Sequence, residues 1–430
     1  MAKIEKIDPI IGRKKRRNYT PISISESFSS MAWKPTPPRH PEEKEAALKY
    51  FRRDEFQSSK SSKASKPKTP HKKKEWTVMV YSAADNNLQE SQYHDVDEME
   101  RVGSSSKVNL LVQFDHGGDE GAKRYYLHRN KQPQVSSPAL ETLGDTNMAD
   151  PQVLSDFIQW GIKNYPAQHY FLIVSDHGRA WKELLDDDGH KNSMTVPQFG
   201  MALKNSREQT GVKIDVLGMD ACLTGSTEFA YEVKDGADFL VASEETENKE
   251  GWPYEKILSQ IPGATPESLA GGIVEIAREH QSALPTMSAT KLAQMPQVGA
   301  EIKKLANAII NTSDSYRDIK DCFMESKNYG MIYELRDIYE ACQKMVEKKV
   351  IGDERLKKAA QGVMNALDRA IVNEQHQVSP NEDDDYSSAH GLNIQGPSWY
   401  MLSGKSYDKL AFSAATLWNQ AMLKVAKKAV

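Results

Sequence analysis

Cys222 and His177 stand at matching places in the sequence, each on a short segment that leaves an apolar run. KIDVLGM (213–219) runs into Asp220-Ala221-Cys222, and HYFLIVS (169–175) runs into Asp176-His177-Gly178. A thiolate attacks carbonyl carbon readily, and an imidazole beside it can take the thiol proton and later deliver it to a leaving amine. Such a pair needs closeness in space and none in sequence. A neighbouring imidazolium or helix N-terminus lowers a cysteine pKa to about 3.5–7.5. Gly225-Ser226-Thr227 opens a helical stretch over 225–234 just past Cys222. The backbone N–H groups of Gly178 and Cys222 are candidates to hold an oxyanion, and a glycine at 178 lets a peptide approach closely. Taken alone, a cysteine after a strand is as well explained as a small buried hydrophobe, and the histidine as a loop residue. Their joint placement singles them out.

For that placement to matter, the two runs must be strands of one sheet. From Glu75 onward, WTVMVYSA (76–83), VNLLVQF (108–114), HYFLIVS, KIDVLGM and ADFLVAS (237–243) read as strands separated by helical patterns. Leu88, Val96 and Met99 recur at helical spacing. Asp150-Pro151 is an N-cap followed by proline at the first helical position, and Thr195 caps another helix. This alternation predicts an α/β fold with a mostly parallel sheet flanked by helices, whose ligands bind at the carboxyl ends of the strands. Beyond Pro262 the pattern is largely helical, with strand candidates at Pro285–Thr290 and HGLNIQ (390–395). Three regions follow: a tail over 1–74, a core over 75–262, and a mostly helical region over 263–430 that completes the same domain.

The 39% hydrophobic and 27% charged content of the 430 residues fits a globular protein. No apolar run approaches the roughly 20 residues that span a bilayer. The net charge of -4 hides an asymmetry. Residues 1–74 hold 20 Lys+Arg against 8 Asp+Glu, the remainder 36 against 52. The stretch QSSKSSKASKPKTPHKKK (57–74) has no apolar residue larger than alanine, so the tail is expected to be disordered, with at most a short helix near Pro41–Phe56. No aromatic residues interleave its basic run as stacking on nucleic acid needs, so a solvated linker is favoured over a binding arm. MAKIEKIDPIIGRKKRRNYT lacks the apolar stretch of a secretory signal. Three cysteines without CxxC spacing argue against disulfides and zinc and for a reducing compartment, hence the cytoplasm. Cys322 and Cys342 read as structural.

Several segments together resemble the clostripain family of cysteine peptidases, in the clan that also holds caspases, legumain and gingipains. They are MVYSAADNNL (79–88), the SDHG with a following tryptophan (Ser175–Trp181), GMDACLTGSTEFAYE (218–232), ASEE (242–245) and GWPY (251–254). HGLNIQGP (390–397) is a weaker echo. The match is close over about 75–260, loose over 261–430 and absent from the tail. The resemblance implies a caspase-like fold, an endopeptidase with a His177–Cys222 dyad and no obligatory third acid, and cleavage after arginine or lysine.

It also implies a substrate pocket built on Asp220 with the ASEE and GWPY segments, so that Ser243, Glu244, Glu250 and Trp252 are substrate-binding candidates. Asp220 would pair the basic side chain, Trp252 would wall its stem and Glu250 would add charge. The alternative is that Asp220 only caps its loop. Two segments differ from relatives: Arg179-Ala180 after the histidine, expected to narrow the cleft, and Lys249-Glu250 where a Pro-Gly-type turn is usual. Lys182–Met194 (KELLDDDGHKNSM) reads as an exposed, mobile loop. Relatives are processed in this region, which makes Lys191 the expected autocleavage site, with Lys182 second. Asp186–Gly189 and Glu382–Asp385 lack EF-hand spacing and read as solvated loops. Some relatives respond to calcium, so Ca²⁺ stays open but unassigned, and the chemistry itself needs no cofactor. Expected partners are protein or peptide substrates. The rival reading is a catalytically silent caspase-like scaffold acting through its basic tail.

Overall fold

The sheet forms because five runs are apolar on both faces, as strands covered on both sides by helices must be. The computed structural model describes residues 73–132 and 135–429. The basic tail, including Pro41–Phe56, lies outside them except for its last two residues. The strands in chain order are β1 (Lys74–Ser82), β2 (Val108–Asp115), β3 (Ala122–Tyr126), β4 (Ala139–Gly144), β5 (Ala167–Ser175), β6 (Glu183–Asp187) and β7 (Asn192–Thr195). They continue as β8 (Ile214–Asp220), β9 (Ala237–Ala242), β10 (Thr286–Lys291), β11 (Asn328–Tyr329), β12 (Leu335–Asp337), β13 (Ile371–His376) and β14 (Asn393–Gln395). Nine of them form one sheet in the order β13-β10-β9-β8-β5-β1-β2-β3-β4. The run β9-β8-β5-β1-β2 is parallel, and both edges are antiparallel.

Alternate residues of each central strand face opposite cores, as a period of two requires. Met79, Tyr81, Leu172, Val174, Leu217 and Met219 join one cluster, with Phe157 of helix Pro151–Asn164 and Phe199 of helix Val196–Thr210. Val78, Val80, Phe171, Ile173 and Val216 join the other, with Met99 of helix Gln89–Val102 and Ile273 of helix Pro266–Arg278. The caps hold these helices where the sequence puts them. Asp150 accepts the Gln152 N–H at 2.8 Å, and Thr195 forms a capping box with Gln198.

The C-terminal region is more than helical. It adds β10 and β13 to the main sheet and builds a second sheet, β11-β12-β14. The described residues accordingly form one compact unit. Lys182–Met194 is a hairpin, β6 with β7, and not the mobile loop its polar composition suggested. Leu184, Leu185 and Met194 are at most 1% exposed, and the stretch that faces solvent is 188–192.

Candidate active site

Ser175 and Asp220 end β5 and β8, and they pair directly across the two parallel strands. His177 and Cys222 therefore leave the sheet at the same level, each two residues past that pair, at the carboxyl edge. Asp176 holds the histidine loop down: its carboxylate accepts from Asn86 Nδ2 at 2.8 Å and from the Asp186 N–H at 2.6 Å. Ser226, N-cap of helix Thr227–Val233, accepts the Phe229 N–H at 3.1 Å and fixes the turn after Cys222.

Gly178 packs against the cysteine turn so closely that a Cβ there would lie 2.3 Å from the Cys222 carbonyl oxygen. Any other residue would push the two loops apart. Gly178 bridges Leu184 through its neighbours' hydrogen bonds, Arg179 N–H to Glu183 O and Leu185 N–H to His177 O. Among the described residues, the amides of Gly178 and Cys222 donate to no protein acceptor.

Both reactive side chains are in resting partnerships. The Cys222 sulfur accepts the Glu247 N–H at 3.3 Å and faces the Glu247 carbonyl at 3.7 Å. Burial, then the Glu247 carboxyl, pushes the thiol up to about 11, so it is protonated at neutral pH. His177 Nε2 contacts Asn87 Oδ1 at 2.7 Å. Burial lowers its pKa, with Asp186 opposing, which leaves a neutral imidazole.

A cavity of about 210 Å³ opens between the two loops and is lined by His177, Cys222, Asp95, Asp220 and Glu247. Asp220 accepts from the Tyr254 hydroxyl at 2.7 Å and the Ser175 hydroxyl at 3.2 Å. Glu247 lies against Asp220, and its two buried carboxyl oxygens have no protein donor, although the Trp252 indole lies beside them without closing a hydrogen bond of normal geometry. Desolvation first, then mutual repulsion, raises the pKa of Asp95 and Glu247; for Asp220 desolvation prevails over its hydrogen bonds. Three carboxylates so close cannot all ionise out of water. Lys249 lines the same cavity but is exposed.

Asp220 is thus where the motif put it, while Asp95, Glu247 and Asn87 did not stand out in the sequence. Asp95 sits three residues after Gln92 and four before Met99 on the buried face of its helix, the one signal that could have flagged it. The other pocket candidates do not line this cavity. Glu250 is exposed outside the cavity. Trp252 is 1% exposed and packs against Gly218 of β8, beside Phe171 of β5. The Ser243 hydroxyl bonds the Thr286 hydroxyl at 2.9 Å and the Glu245 carbonyl at 3.0 Å. Glu244 is buried behind the loop, accepting the Gly391 N–H at 2.9 Å. The late strand segment bonds Glu244 twice, since Asn393 Nδ2 also donates to its carbonyl at 2.7 Å. Arg179 turns away onto β6, where both its terminal nitrogens bond Asp186.

Several carboxylates of the two acidic runs take separate partners. Asp186 holds Arg179 and Ser193, and Asp187 takes the Met148 N–H and His190. Asp385 holds Ser379 and Ser387, and Asp384 holds Asn381. Among the described residues no group of three or more His, Cys, Asp or Glu could hold a metal ion, and no helix is long and apolar enough to cross a membrane.

Comparison with known proteins decides the family. The model of the clostripain family matches residues 80–422. The chain belongs to the clostripain family. It is a cysteine endopeptidase of that family. Clostripain of Hathewaya histolytica is 26% identical over 380 residues, covering 70% of this chain and 71% of that protein. Two solved structures share the fold. A secreted cysteine protease of Bacteroides thetaiotaomicron, "iotapain", has a TM-score of 0.64 at 17% identity, over 80% of this chain and 99% of that one. An inactive zymogen protease of Parabacteroides distasonis has a TM-score of 0.62 at 19% identity, over 81% and 99%.

Proposed function

We propose that this clostripain-family enzyme cleaves peptide bonds after arginine or lysine, with Cys222 as nucleophile and His177 as general base and acid. One observation carries the reading: the cavity that reaches both side chains is walled by Asp95, Asp220 and Glu247. A guanidinium or ammonium entering it would give the buried carboxylates the counter-charge they lack, and arginine would bind two oxygens at once. The Cys222 sulfur then attacks the carbonyl carbon, and the thiol proton passes to His177. The tetrahedral oxyanion takes the unused N–H groups of Gly178 and Cys222. Collapse breaks the C–N bond, with His177 returning the proton to the amine. Water, deprotonated by His177, then hydrolyses the thioester. This chemistry calls on no metal or cofactor.

For that step His177 has to exchange Asn87 for Cys222, and the hairpin tip is tied to the same loop. The Asp188 N–H donates to the Asp85 carbonyl at 2.9 Å, and the Gly189 N–H donates to the Asp85 carboxylate at 3.2 Å. Cleavage after Lys191, which is exposed at the tip with φ of 52°, would release Asp85–Asn87 and with it the histidine. Activation by self-cleavage there is part of the proposal. Three unpaired cysteines suit a cytoplasmic site of action. The test is a set of fluorogenic peptides differing only in the residue before the scissile bond. Turnover confined to arginine and lysine is expected. Equal turnover with aspartate or leucine there would overturn the reading.

A further inference from the structure

We propose that Met331 and Ile332 form a subsite that takes an apolar side chain of the substrate, a few residues from the scissile bond; this rests on the peptidase reading above. The two are consecutive, and they are 86% and 77% exposed. They sit on the short turn between β11 and β12, where Gly330, Met331 and Glu334 all have positive φ, at 61°, 40° and 54°. For methionine and glutamate this conformation carries a conformational cost, and such strain persists where the surroundings impose it.

Those surroundings are the cysteine turn itself. The Gly330 N–H donates to both carboxyl oxygens of Glu245, at 3.1 and 3.3 Å. The main-chain carbonyl of the same Glu245 accepts the N–H of Leu223, the residue after Cys222, at 3.1 Å. A Cβ on Gly330 would lie 2.7 Å from the Leu223 side chain and 3.2 Å from the Tyr333 ring, so a larger residue there would crowd the cysteine turn. Tyr333 is tied back through its carbonyl, which accepts from Gln395 Nε2 at 3.0 Å. The backbone is therefore fixed to the catalytic loop, and the two side chains left over point to water. Gly330, the residue before the pair, lies against Leu223, the residue after Cys222, so the pair stands beside the cysteine turn. Two apolar side chains held there, against strain and out of any core, suit the side chain of a bound peptide.

The experiment uses peptides with arginine before the scissile bond and leucine, glycine or aspartate at each of three positions on either side. Wild type is compared with Met331→Ser/Ile332→Ser, whose fold the exposed positions leave intact. Wild type should favour leucine over aspartate about 10-fold in kcat/KM at one position. The variant should lose that preference while cleaving the glycine peptides as wild type does. The same preference in both proteins, or none in wild type, overturns the subsite. A wild-type dimer that the variant cannot form, with peptide preference unchanged, also overturns it and assigns the pair to a second copy. If neither protein cleaves any peptide, the arginine reading fails. Fluorescence anisotropy of the same peptides still decides the subsite: tighter wild-type binding of the leucine peptides supports it, and equal affinity overturns it.

Discussion

The Glu247 amide lies 3.3 Å from the Cys222 sulfur, while the carboxyl of the same residue sits in the acidic cavity beside Asp220. One residue thus caps the thiol and walls the pocket. A basic side chain that draws the Glu247 carboxyl toward it would also disturb the contact that keeps the thiol covered. On the proposed reading, substrate binding and exposure of the nucleophile would be linked through a single peptide unit.

The cavity acids make stability depend on pH. Their folded pKa values are raised, so the folded protein keeps protons that the unfolded chain releases. Stability is therefore full below the ordinary carboxyl value of about 4 and is lost as pH rises through the folded values. The melting temperature of ligand-free protein should fall by a few degrees between pH 5 and pH 8. Glu247→Gln should flatten that slope. An unchanged slope would mean that Glu247 does not titrate with Asp220.

Asp95→Asn and Asp220→Asn should each lower kcat/KM on arginine peptides by about 100-fold, the scale of removing one partner from a buried charge pair. Glu250→Gln should stay within about twofold, because that side chain is exposed outside the cavity. Steady-state kinetics on one arginine peptide tests all three. A large loss at Glu250 with none at Asp95 would reverse the assignment of the pocket wall.

The resting thiol should react slowly. Alkylation of Cys222 by iodoacetamide in the uncut, ligand-free protein is expected to rise with a midpoint at about 11. His177→Ala should leave that midpoint in place, since His177 contacts Asn87 in this state. Peptide mapping of the alkylated cysteine over a pH series gives the answer. A midpoint below 8 would show that the imidazole already holds the thiolate.

Purified wild type should mature into two chains, the second beginning at Asn192, while Lys191→Ala and Cys222→Ala stay intact. Asp85→Ala, which removes the carboxylate that holds the Gly189 N–H, should speed the cut severalfold. N-terminal sequencing over a time course follows this. A fully active enzyme that remains one chain would rule out self-cleavage as the trigger.

The five central strands and the level of His177 and Cys222 were legible because strands buried on both faces read as unbroken apolar runs. What followed them was harder to see. AKRYY and ALETLG mix polar and apolar residues at a sheet edge, and β4 is mostly exposed. The β6–β7 hairpin reads as a loop in sequence because its buried Leu184, Leu185 and Met194 are outnumbered by acids, one of which, Asp187, is itself buried. Asp95 and Glu247 look like solvated charges in sequence. Only the tertiary fold brings an acid on the helix after β1 and an acid on the loop after β9 to the end of β8. Ser243 and Glu244 misled for the opposite reason: their motif is distinctive, yet the segment around Gly391 and Asn393 buries it from behind.

The central claim is that Cys222 and His177 cleave peptides after a basic residue held by the three acids. It is tested most directly by kcat/KM on matched peptides with arginine or leucine before the scissile bond, for wild type, Cys222→Ala and His177→Ala. Matching melting curves of the three proteins establish that each is folded. Wild type should cleave the arginine peptide at least about 100-fold faster than the leucine peptide, a ratio reflecting the buried charge pairing. Either substitution should abolish cleavage, because losing one member of a cooperating pair costs nearly as much as losing both. Arginine-specific turnover that survives Cys222→Ala would contradict it.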